Sequence, residues 1–112
     1  MLSQHVEPFS CSVTPEGDHV VVAPRGELDM ATVGALEQEL KSVREAGHPA
    51  IVLDLRGLSF MDSSGLHLVV RWAAEASRDG FVFELEPGSP VVQRIFELSA
   101  LTDELPFRTR PG

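Results

Sequence analysis

Phe60-Met61-Asp62-Ser63-Ser64-Gly65-Leu66 is the stretch on which the reading of this chain turns. Upstream lies the apolar run Ile51-Val52-Leu53-Asp54-Leu55, and downstream, from Leu66 to Ser77, apolar residues recur at helical spacing. The pattern predicts a strand ending just before the motif and a helix beginning at Asp62 or just after it. Such a junction carries backbone N–H groups without intrahelical partners and a partial positive charge. An acid followed by two hydroxyls is good capping chemistry there. A hydroxyl exposed at the same point can also hold a phosphate, because free N–H groups and the helix dipole favour an anion.

Working back from the motif, Ala50 to Leu55 has no polar alternation until Asp54, which suits a central strand covered on both faces. Thr32 is the expected N-cap of an earlier helix whose inner face is Val33, Leu36, Leu40 and Val43, with Gly47 and Pro49 as its stop. Phe9 to Thr14 alternates as a half-buried strand, Pro15 to Asp18 turns, and His19 to Ala23 pairs back as a hairpin that Pro24 ends. Residues 1 to 8 read as a loose lead-in, and Cys11 as a small apolar strand residue.

Forward from the motif, the second helix has the stripe Leu66, Val69, Val70, Ala73 and Ala76, with Trp72 flanking it as partial core, and it stops at Gly80. Phe81 to Leu85 is a further strand. Ser89 caps a last helix that starts at Pro90, with Val91, Val92, Ile95, Leu98 and Ser99 on its inner face. Leu105-Pro106-Phe107 is placed to cover a sheet edge, and Arg108 to Gly112 reads as a frayed tail. The order β-β-α-β-α-β-α predicts an α/β fold with a mixed sheet, its later strands parallel and joined by right-handed crossovers. One domain spans 1–112, with its core at about 9–107.

Bulk properties exclude several functions. The charge of −8 disfavours nucleic-acid binding and adhesion to an anionic membrane. With one cysteine and four scattered histidines there is neither an intramolecular disulfide nor zinc spacing. The N-terminal residues lack the pattern of a signal peptide, and a cytoplasmic protein is expected.

At about 100° per residue a helical wheel separates the two serines. It sets Ser64 opposite the apolar stripe, beside Leu68, Arg71 and Glu75, and Ser63 nearer the core. Ser64 is thus the expected accessible hydroxyl, with Ser63 as runner-up, and the mixed stripe reads as an interaction rim. A nucleophilic serine is disfavoured: the G-x-S-x-G elbow is absent and His67 alone makes no dyad.

Three segments carry a family resemblance: Arg25-Gly26-Glu27-Leu28-Asp29, then Leu53-Asp54-Leu55 with the opening motif, and Arg94-Ile95-Phe96-Glu97-Leu98. Together they resemble the bacterial anti-sigma factor antagonists, single-domain members of the STAS group. The resemblance implies a STAS-like mixed sheet of four to five strands with helices mainly on one face. It implies phosphorylation of the second serine of D-S-S-G, here Ser64, by an anti-sigma factor that is itself a serine kinase. ATP and Mg would belong to that kinase, so the chain needs no cofactor or metal of its own. The unphosphorylated antagonist would bind the anti-sigma factor and free a sigma factor, and a serine phosphatase would reset the switch. The partner-binding set is then Asp29, Asp62, Ser63, Ser64, Leu68 and Arg71, with no catalytic residue. A STAS-like accessory subunit of an ABC-type membrane transport complex is the alternative. Where the family commonly has a glycine after the third helix, this chain has Ser99-Ala100-Leu101.

Overall fold

The computed structural model describes residues 7–108, so the expectations for the first six residues and the last four lie outside it. Its elements are β1 (Ser10–Glu16), β2 (His19–Leu28), α1 (Val33–Glu45), β3 (Ala50–Asp54), β4 (Leu58–Met61), α2 (Ser63–Asp79), β5 (Val82–Glu86) and α3 (Pro90–Ser99). A 3-10 turn, Thr102–Glu104, follows. The five-stranded mixed sheet runs β1-β2-β3-β5, with β4 also pairing β2. Only the β1–β2 pairing is antiparallel.

The hairpin turns on Gly17 and Asp18 alone, since Glu16 already pairs with His19. Gly17 takes φ +61°, a left-handed conformation that suits glycine. Strand β1 therefore runs through Pro15, two residues past its expected end, which an edge strand tolerates.

Pro24 does not end β2, which continues to Leu28. The Gly26 N–H donates to the Gly57 carbonyl at 3.2 Å, on the side facing β3 and β4. By the two-residue alternation of a strand, Pro24 would aim its missing N–H the same way. It sits where β2 has finished pairing β3 at Val22 and has not begun pairing β4 at Gly26, so no ladder bond is lost.

Strand β4 is the element the sequence pattern does not announce. Its four residues, Leu58 to Met61, are buried, exposed, exposed and buried in turn, without the alternation that marks a strand. Pairing to the end of β2 defines it: Gly26 with Leu58, Glu27 with Phe60, Leu28 with Met61, across a register shift between Gly26 and Glu27.

One side of β2, Val20, Val22, Pro24, Gly26 and Leu28, is buried. Ile51 and Leu53 of β3 lie beside Val20 and Val22 in parallel register, and Phe83 and Leu85 of β5 lie beside them in turn. These join Leu36, Leu40 and Val43 of α1, Leu68, Val69 and Trp72 of α2, and Val92 and Phe96 of α3 in one apolar cluster. Phe107 bridges Leu85 in parallel and extends the edge of β5, as Leu105-Pro106-Phe107 was placed to do.

Two helical faces are rotated from their expected positions. In α2 the buried residues are Gly65, Leu66, Leu68, Val69, Trp72 and Ala76, so Leu68 and Trp72 lie inward while Val70 and Ala73 are half-buried. Trp72 drives the difference: its ring lies 6.1 Å from Phe81 and 6.2 Å from Phe83, and its burial turns the helix about its axis. In α3 the core takes Val92 and Phe96, leaving Val91 and Leu98 59% and 73% exposed. Phe96 meets Phe107 edge-on at 5.1 Å, an anchor no aliphatic residue of that helix matches.

Candidate functional site

Strands β2 and β4 run parallel side by side, and each ends in an aspartate that starts a helix. Leu28 pairs with Met61, and the Asp62 N–H donates to the Leu28 carbonyl at 3.1 Å. Asp29 and Asp62 therefore leave the sheet from adjacent positions and bring the N-termini of α1 and α2 to one edge.

Each carboxylate is occupied by local backbone. Asp29 Oδ1 accepts from the N–H groups of Ala31 and Thr32 at 3.0 and 3.2 Å. Thr32 stands at the N-cap position but makes no side-chain cap; its hydroxyl donates to the Glu27 carbonyl at 2.8 Å. Asp62 caps α2, its Oδ1 accepting from the Ser64 N–H at 2.8 Å. The Asp62 carbonyl takes the N–H groups of Gly65 and Leu66. Ser63 N–H is then the open first-turn donor among the described residues.

Gly65 lets this helix start so close to the strands. A Cβ there would stand 2.5 Å from Met61 Cγ and 2.8 Å from Leu28 Cδ2, both on buried side chains. Such overpacking costs about 1–3 kcal/mol. The glycine of the motif thus sets the distance between Ser64 and the two capped strand ends.

The serines are arranged differently from the wheel. Ser63 is exposed and Ser64 half-buried, because turning Leu68 and Trp72 inward carries Ser64 to the flank of α2. Leu68, expected on the partner-binding rim, is fully buried and offers a partner no surface. Arg71 is exposed but engaged: its guanidinium donates to the Glu37 carboxylate across the α1–α2 groove, and the Trp72 indole N–H reaches the same carboxylate at 3.2 Å. The Arg71 hydrogen bond holds Glu37 below the usual carboxylate range against the opposing effect of burial, with Trp72 adding to it. Glu37 is thus the centre of an interhelical clamp.

Sequence reasoning missed Met30. It follows Asp29 in the β2–α1 turn and is 82% exposed. One apolar residue in a polar turn breaks no periodicity, so no sequence pattern distinguished it. Among the described residues no group of three His, Cys, Asp or Glu side chains stands close enough to hold a metal ion. No helix there is long and apolar enough to cross a membrane.

A mixed sheet with its helices on one face and a D-S-S-G helix start at the end of a parallel strand define a class, and comparison with known proteins agrees. The family model described as "Mlab, STAS domain" matches residues 11–107. An anti-sigma-B factor antagonist of Staphylococcus aureus is 35% identical over 78 residues, 70% of this chain and 72% of that protein. The crystal structure of an anti-sigma factor antagonist from Mycobacterium paratuberculosis superposes with a TM-score of 0.78 at 29% identity, covering 97% of this chain and 92% of that one. The Bacillus cell-fate determinant SpoIIAA in its phosphorylated form gives a TM-score of 0.65 at 27% identity, over 92% and 93% of the two chains. The chain belongs to the STAS-domain family of anti-sigma factor antagonists, which are regulators rather than enzymes.

Proposed function

We propose that the chain binds an anti-sigma factor that is also a serine kinase, thereby releasing a sigma factor in the cytoplasm, and that phosphorylation of Ser64 ends the binding. Supporting this is the meeting of Asp29, Asp62 and the D-S-S-G helix start at one edge, in a family with a relative solved in a phosphorylated form. Exposure alone would favour Ser63, so the choice of Ser64 rests on the motif, whose second serine it is. ATP and Mg belong to the kinase, and a serine phosphatase reverses the modification.

The physical argument concerns charge. A phosphate adds roughly −1.5 to −2 charges. On Ser64 it would find the helix dipole and the open Ser63 N–H, while the Ser64 N–H is already taken by Asp62. In water the repulsion from Asp62 and Asp29 is screened. A docked partner excludes that water, and the same like charges then repel through a lower dielectric. Like-charge juxtaposition at an interface costs several kcal/mol, on the order of a thousandfold in affinity. Binding is lost while the fold survives.

Incubating the chain with the anti-sigma factor kinase of its own genome and Mg-ATP is expected to add one phosphate, mapped to Ser64 and abolished in Ser64→Ala. A phosphate on Ser63, or none with a kinase active on another substrate, would overturn the assignment. Recovery of a transporter ATPase as the bound partner would favour the accessory-subunit alternative.

A further inference from the structure

We infer that Met30 is the apolar anchor through which the Ser64 face engages its partner, and that the partner offers an apolar socket with a basic rim. This deepens the reading above and rests on it. Met30 is the most exposed large apolar side chain among the described residues. It lies two residues beyond Leu28, whose carbonyl receives the Asp62 N–H, so it stands at the edge that carries Ser63 and Ser64.

Its backbone is held on both sides. Asp29 Oδ1 binds the N–H groups of Ala31 and Thr32, and the Asp29 N–H donates to the Thr32 hydroxyl at 3.0 Å. A side chain presented from a pinned turn loses little backbone freedom on docking. Methionine is unbranched and polarizable, adapts to irregular apolar sockets, and is enriched in interfaces.

Charge sets the rim. Residues 27–32 and 58–67 contain Glu27, Asp29 and Asp62 and no Lys or Arg. Arg71, further along α2, is neutralised by Glu37. Carboxylates are depleted from interface centres and tolerated at rims, where complementary charge speeds association. A socket ringed by Lys or Arg is the surface that fits.

The competing surface is the outward side of α3, where Val91 and Leu98 are exposed beside Arg94 and Glu97. There charges of both signs alternate with the apolar groups, and nothing indicates what covers them.

The experiment is calorimetric titration of the full, unphosphorylated chain with the anti-sigma factor kinase that phosphorylates it, using wild type, Met30→Ala, Met30→Leu and Leu98→Ala. Met30→Ala is expected to weaken binding by about tenfold or more, as truncation of an interface anchor does. Met30→Leu and Leu98→Ala should stay within about threefold, and all four proteins should melt alike because both positions are exposed. A loss under about threefold for Met30→Ala, or a larger loss for Leu98→Ala, would overturn the inference and leave the proposed function standing. If the wild-type chain itself does not bind the kinase, the functional reading falls and takes the anchor with it.

Discussion

Ala100 ends α3 in the left-handed conformation, with φ +60° and ψ +24°, the single non-glycine residue of positive φ among those described. The geometry here is the one that glycine favours after a helix. A left-handed L-residue costs roughly 1–2 kcal/mol, part of which a glycine returns through the greater freedom of its unfolded chain. Ala100→Gly is therefore expected to raise stability by about 0.5–1 kcal/mol, read as a rise of a few degrees in the thermal midpoint. An unchanged or lower midpoint would show that the αL strain is relieved in some other way. At the site itself the sequence located the helix start and misjudged which serine is the more exposed. Asp62 caps α2 as its place in the motif implied, yet the order of exposure of Ser63 and Ser64 was inverted, because a wheel centred on Leu66, Val69, Val70 and Ala73 ignored the pull of buried Trp72.

Among the elements, α1 and α2 are held to each other by Glu37, Arg71 and Trp72. Glu37 titrates below its ordinary value of 4.5 in the folded chain, first because of the Arg71 hydrogen bond. A carboxyl depressed on folding adds stability at pH above its unfolded value, and that stability is lost as pH falls through the folded value. Glu37→Gln keeps an acceptor for Trp72 and removes the charge. It should cost roughly 0.5 kcal/mol at neutral pH, given the exposure of Arg71, with the gap to wild type closing once the pH drops below the carboxylate range. Melting curves of both proteins from pH 7 down to acid check this, and a gap that is independent of pH would assign the loss to packing. The boundaries of α1, α2 and α3 were legible from Gly47, Gly80 and Pro90, residues with a conformational reason to stand where they do. Strand β4 was not, since four residues without alternation become a strand only through their pairing with the end of β2. Pro24 misled for the same reason: a missing N–H matters only where a neighbour waits for it, and β2 is changing partners there.

For the whole molecule, the sheet places the D-S-S-G helix start at one edge and leaves the core out of it. The apolar cluster lies between the sheet and the helices, whereas Ser64, Asp29, Asp62 and Met30 sit where β2 and β4 end. A charge added at that edge meets no core residue whose packing it must break. The alternation of strands and helices was enough to read the mixed sheet from sequence. Which loops meet at which edge was not, because that depends on β4 pairing beside β2, a contact between segments some thirty residues apart in the chain. Binding and folding should therefore separate on phosphorylation. The most direct measurement compares the chain before and after stoichiometric phosphorylation at Ser64, recording its affinity for the anti-sigma factor and its thermal midpoint in the same buffer. The affinity is expected to fall on the order of a thousandfold while the midpoint moves by no more than a few degrees. Undiminished affinity, or a loss of affinity accompanied by a collapse of the midpoint, would contradict a charge switch on a binding face.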